Sequence, residues 1–207
     1  MSTSSKKPRV KRKHDVNECY TKSTYRDKAF AKLMDDFERR CAYSLVHVEI
    51  TGEHNMEVDH HNPTLKGKKL HAYANLYPAY SVCNNAKSGV WPSKREIALR
   101  LRFLDPCKEQ DYGNHIFEIA ATNELVAVTP EGVFHIENCD LNNRWFKNKR
   151  RERDEDEEFL KHRNILPKFG ADPALSDLLN LLQPITARMK WRLPPIPPPP
   201  PDKQIIA

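Results

Sequence analysis

The stretch from Met56 to Gly89 constrains the fold more than any other part of the chain. Met56-Glu57-Val58-Asp59-His60 alternates apolar and polar residues, the period of a short strand. Residues 62–72 carry a proline, a glycine and three lysines and predict a loop. Leu76 to Val82 is short and apolar, a second strand. Asn84 to Gly89 should open a helix that stops near Gly89 and Pro92. The order is therefore strand, loop, strand, helix, with polar residues concentrated where the elements meet.

The flanking sequence adds helices and a second β region. Tyr25 to Arg40 reads as an amphipathic helix, because Phe30, Leu33, Met34 and Phe37 recur at helical spacing. Val46 to Ile50 alternates enough for a short strand. Ser93 to Leu104 is expected as a second amphipathic helix, ending at Asp105-Pro106. His115 to Ala120, Glu124 to Thr129 and Val133 to Ile136 read as three short strands, with turns at Thr122-Asn123 and Pro130-Glu131-Gly132. Residues 141–163 predict a long polar helix, and Pro173 to Arg188 a strongly apolar last one. The fold class expected is α+β.

Charge divides the chain unevenly. Residues 1–14 hold six Lys/Arg and no Asp/Glu. Taking those six from the total of 34 leaves 28 basic against 28 acidic residues, so the net charge of +6 sits in this tail. Such a tail reads as a disordered arm able to contact phosphates. Residues 191–207 include a run of five prolines, Pro197 to Pro201, and predict a polyproline II tail. The domain plan is then 1–14 as basic tail, 15–92 as the first helix with the strand–strand–helix unit, 93–190 as an accessory region, and 191–207 as proline-rich tail. Five cysteines (Cys19, Cys41, Cys83, Cys107 and Cys139) without a Cys-x-x-Cys pair fit a reduced, cytoplasmic protein. No apolar run approaches a membrane span.

The polar residues of 57–87 suit phosphodiester hydrolysis. That chemistry requires a water, a base to deprotonate it and neutralisation of charge on the leaving oxygen. His60 is the candidate base, since an imidazole titrates near neutral pH. Asp59 points to the opposite face of a regular strand and could hold a hard cation. Asn84 would supply a second oxygen, and Mg2+ or Mn2+ is the cofactor expected. The Asn75 amide could hold the loop that carries His60. Lys87, one turn beyond Asn84, is placed to meet a phosphate. His61 lies on Asp59's face and reads as packing or support beside a secondary substrate role.

Segment 41–92 resembles the HNH family of nucleases, whose fold is a ββα-metal hairpin and helix. Asp59-His60-His61-Asn62-Pro63 matches the Asp-His-x-x-Pro that ends the family's first strand, Asn75-Leu76 its following Asn-Leu, and Cys83-Asn84-Asn85-Ala86-Lys87 its helix opening. The resemblance implies His60 as general base, Asp59 and Asn84 as metal ligands, and Asn75 as the residue that orients the loop. Asn84 stands where the family usually has histidine. Many HNH proteins also hold a structural zinc with two Cys-x-x-Cys pairs. Here Cys41-Ala42-Tyr43-Ser44 and Tyr80-Ser81-Val82-Cys83 each lack one cysteine, so no structural zinc is expected and packing around Tyr43 and Tyr80 should replace it.

Trp91-Pro92, Arg102 to Pro106, His135-Ile136-Glu137 and Leu141-Asn142 are similar to the HNH subunits of Septu-type and retron-linked antiphage systems. That similarity implies a nuclease working with an ABC-type ATPase partner. DNA is the substrate expected. A ribonuclease of the same fold and an inactive nucleic-acid-binding module are the competing readings.

Overall fold

The two central strands form where alternation places them. The computed structural model describes residues 10–108 and 114–162, so the expected helix 173–188 and proline tail lie outside the described residues. β1 (Met56–His60) pairs antiparallel with β2 (Leu76–Tyr80), Met56 opposite Tyr80 and His60 opposite Leu76. α3 (Ser81–Lys87) follows β2 without a break. The second strand is thus two residues shorter than expected, and the helix starts three residues earlier. Asn84 lies in the middle of that helix rather than at its opening. Ser88 and Gly89, at φ 37° and 77°, end it in left-handed conformations.

α1 (Tyr25–Asp36) stops four residues before its expected end. Glu38 and Arg39 adopt positive φ, and the Arg39 amide closes back on the Met34 carbonyl at 2.7 Å. The reversal lets Arg40 bridge His47 and lets the Cys41 amide reach the Val46 carbonyl at 2.9 Å. The strand expected at Val46–Ile50 is reduced to that bridge. Val48–Thr51 forms a helical turn, α2, capped by His47 Nδ1 accepting from the Glu49 amide.

α4 is only Lys94–Ala98, started by a capping box of Ser93 and Glu96. The chain leaves helical geometry at Arg100 (φ 64°), and the extended segment that follows buries Phe103 and Leu104. Ile97 and Leu99 stay exposed as a consequence. β3 (Ile116–Ile119) and β4 (Glu124–Ala127) form the expected antiparallel pair. The third strand expected there is instead a helix, α5 (Pro130–Asn138), with Thr129 as N-cap and Pro130 in the first turn. α6 spans Arg144–His162 and matches the long polar helix. Among the described residues the fold is α+β, with six α-helices and two small antiparallel sheets. None of the described helices is long and apolar enough to cross a membrane.

The β1–β2 hairpin is shared by two buried clusters. Met56, Ala79 and Tyr80 pack with Tyr43, Phe103, Phe134 and Phe146. Val58, Leu76 and Tyr77 pack with Tyr25, Leu33, Phe37 and Tyr73. The second cluster includes part of the basic segment expected to be loose. Val10 is buried, and its amide donates to the Pro106 carbonyl at 2.9 Å. The Arg12 guanidinium donates to the Leu76 carbonyl at 2.8 Å and lies 5.2, 4.8 and 4.8 Å from the ring centres of Phe37, Tyr73 and Tyr77. Buried Asp36 accepts from the Lys13 amide and the Tyr73 hydroxyl, each at 2.8 Å. A cation over three partly dehydrated rings is worth more than the same charge in water, and this explains why residues 10–14 dock although their composition is that of a tail.

Arg12→Ala is expected to destabilise the protein by about 1–3 kcal/mol, through loss of the ring contacts and an unsatisfied Leu76 carbonyl. Chemical denaturation checks this against Lys11→Ala, an exposed neighbour expected to change stability by less than about 0.5 kcal/mol.

Candidate functional site

Strand alternation sends neighbouring residues of β1 to opposite sides. His60 faces α1, where its ring centre lies 4.7 Å from that of Tyr25. Its Nε2 is 2.9 Å from His71 Nδ1, and His71 stacks on the same tyrosine at 5.1 Å. Burial, then the neighbouring His71, holds the half-buried His60 below the ordinary imidazole value, with Asp59 opposing. His60 is therefore neutral at physiological pH. In the tautomer in which His60 Nε2–H donates to His71 Nδ1, His60 Nδ1 is the nitrogen left to accept a proton. His71 falls in a lysine-rich loop, and nothing in the local sequence pattern marks it.

Asn75 makes three hydrogen bonds around the loop that follows His60. Its Oδ1 accepts from the Asn62 amide at 2.9 Å, and its Nδ2 donates to the carbonyls of Asn62 (3.1 Å) and Leu70 (2.9 Å). Both ends of the loop are thereby tied to one side chain. This is the geometry the orienting role requires.

Asp59 faces the other way, toward α3. It accepts from the Tyr43 hydroxyl and pairs with Lys87 Nζ at 3.1 Å. Lys87 Nζ also donates to the His60 carbonyl at 3.1 Å and lies 5.5 Å from the Phe103 ring centre. Its exposure is 0%. Lys87 therefore does not reach a phosphate, contrary to its expected role; it neutralises Asp59 and holds the backbone of His60. Burial and the Asp59 charge raise the Tyr43 phenol well above its usual range, so it remains a donor. His61 is buried too, stacked on Tyr77 at 4.5 Å and edge-on to Trp91 at 5.4 Å. It packs, and the secondary substrate role does not fit its position. Tyr43 and Tyr80 are both buried beside Cys41 and Cys83.

Asn84 meets a different carboxylate from the one expected. Its Nδ2 donates to Glu57, two residues before Asp59 and so on the same face of β1. Glu57 and Asn84 border a cleft of about 620 Å³, together with Arg26, Asp27, Glu53 and His54. Hard divalent cations bind carboxylate and amide oxygens. Asp59 is already committed to a phenol and an ammonium, whereas Glu57 and Asn84 touch across open space. Rotating the Asn84 amide, whose two ends are assigned from hydrogen bonding, presents its oxygen beside Glu57. Glu57 and Asn84 suit a hard cation as an accessible pair, whereas Asp59 is not among the residues that line the cleft. The two-residue spacing of Glu57 and Asp59 on one strand was a signal for Glu57 in the sequence. A separate group, His14, Asp35 and Asp36, brings three potential ligand atoms within 4.8 Å of one another, but Lys13 and Tyr73 already engage its carboxylates.

Removing one partner from a buried ion pair strands the other charge. Lys87→Met should destabilise the protein by about 3–5 kcal/mol, read by urea denaturation; a surface phosphate contact would leave stability unchanged. A second expectation concerns acid. Burial lowers His61 from 6.5 to about 4. The unfolded chain then binds the proton first, so the stability carried by neutral His61 is complete above pH 6.5 and is lost as pH falls toward about 4. Thermal melts across that range should fall less steeply for His61→Phe, which keeps the stack and removes the titration. No protein-family model matches this chain, and neither a curated protein nor a solved structure matches it.

Proposed function

We propose that the chain is a metal-dependent endonuclease of the HNH type, hydrolysing phosphodiester bonds of DNA. The observation that carries this reading is the hairpin–helix unit in which Asn75 clamps the loop behind a neutral, half-buried His60. Glu57 and Asn84 would hold Mg2+ or Mn2+ in the adjoining cleft. The cation would neutralise charge on the leaving oxygen. His60 takes the proton of the attacking water at Nδ1, while His71 and Tyr25 keep its ring from turning. Lys87 fixes the backbone on which that ring is mounted. A role in antiphage defence beside an ABC-type ATPase, within the cytoplasm, is proposed on the resemblance of the flanking motifs.

One observation favours a second reading. Asp59 is fully engaged by Tyr43 and Lys87, which suits a nucleic-acid-binding module that does not hydrolyse, or a nuclease silent until a partner joins it.

Incubating the purified chain with plasmid DNA and with total RNA, in Mg2+, in Mn2+ and in EDTA, separates these readings. Metal-dependent nicking of DNA is expected, lowered at least about 100-fold in His60→Ala. Glu57→Gln and Asn84→Ala should each raise the metal concentration needed for half-maximal rate. Cleavage that is unaffected by His60→Ala would sink the mechanism. Absence of cleavage with and without an ATPase partner would leave the binding module.

A further inference from the structure

We propose that the cavity between residues 40–50, β3 and α6 is a binding site for inorganic phosphate. It measures about 60 Å³ and is lined by Arg40, His47, Glu118, Lys149, Arg150 and Arg153. A water requires only about 10–15 Å³ on the same measure, so a four-oxygen anion has room. No residue of this cavity lines the cleft beside Glu57, and the inference is independent of the nuclease reading.

Four of the seven polar lining residues, Ser44 being the seventh, are permanent or near-permanent cations. Lys149 pairs with Glu152 at 2.7 Å, and Arg153 pairs with Glu118 and Asp154. Arg150 is held by neutral oxygens, the carbonyls of Asn123 (2.6 Å) and Leu141 (3.0 Å) and the Asn142 amide at 3.3 Å. A guanidinium taken from water without a carboxylate hydrogen-bonded to it is costly. Burial lowers its pKa to about 10 against the opposing charge of Glu118, with Arg153 adding to the fall and Glu124 and Asp154 opposing it. His47 reports the same field. Burial, then Arg40 and Arg39, lowers it to about 4, so it adds no charge of its own.

Glu118 selects among anions. It is 3% exposed, and its Oε2 has no hydrogen-bond partner. A buried acceptor of this kind needs a donor. A water could donate to it but would add no negative charge to a lining of four cations and one carboxylate. Chloride and sulfate compensate charge but carry no hydrogen. Hydrogen phosphate answers both needs, since at neutral pH it is an anion that retains one O–H. Its charged oxygens face Arg150, Arg153 and Lys149, and its O–H donates to Glu118. An internal phosphodiester lacks that hydrogen and does not fit.

Calorimetric titration of the full chain with sodium phosphate, and with sodium sulfate at matched ionic strength, tests the site, alongside thermal melts in the same buffers. Saturable phosphate binding with a matching rise in Tm is expected, at least about tenfold tighter than sulfate because sulfate leaves the Glu118 acceptor unpaired. Lys149→Ala removes a partly exposed cation whose pair with Glu152 contributes little to folding; it should weaken phosphate at least about tenfold while leaving the phosphate-free Tm in place. Glu118→Gln should abolish the preference over sulfate. No saturable phosphate binding, or equal binding of sulfate by the wild-type chain, overturns the proposal.

Discussion

The buried pair of Asp59 and Lys87 is the constraint around which the central unit is arranged. A carboxylate and an ammonium enter a low-dielectric interior together or not at all, because either alone carries a desolvation penalty that packing cannot offset. The two residues are 28 apart in sequence, so their meeting fixes α3 against β1. The Tyr43 hydroxyl supplies the remaining donor and brings the turn after α1 into the same junction. Lys87 then has a donor to spare for the His60 carbonyl. One ion pair thereby sets the angle between hairpin and helix and the backbone position of the candidate base.

The arrangement divides labour by strand face. His60 lies with Tyr25 and His71 on the α1 side, whereas Glu57 and Asp59 look toward α3. A base needs a neutral, oriented imidazole, and aromatic walls with one hydrogen-bonding neighbour provide that. The proposed cation site would need oxygens in an open cleft, and Glu57 and Asn84 line one. Period-two alternation puts the two environments on opposite faces although the residues adjoin, and the Asp59–Lys87 pair links them through the His60 carbonyl.

Much of this was legible in the residue order, and the failures have identifiable causes. β1 was read to the residue because alternation is a local property. Asn75 stands between the two strands in the sequence, from where its amide can reach both ends of the loop. Lys87 was misassigned because a lysine one turn from Asn84 looks like a surface cation until the depth of the Asp59 pocket is known, and depth is set by Tyr43 and Phe103 from elsewhere in the chain. The turn at 38–47 hides behind residues of good helix and strand propensity. Tertiary bonds, not propensity, decide it. The strand expected at Val133–Ile136 is a different failure. Thr129-Pro130 is a helix-start signal, and it outweighs the strand propensity of Val133, Phe134 and Ile136.

The docking of Val10 to His14 redraws where the folded unit begins. Charge composition alone would place that boundary after residue 14, and a shortened protein designed on it would start at Asp15. Such a molecule would uncover the faces of Phe37, Tyr73 and Tyr77 that Arg12 covers and would take two partners from buried Asp36. The segment most readily discarded as a solubilising leader is, from Val10 onward, a lid over the second core. A fusion or affinity tag that replaced residues 10–14 would therefore open that lid.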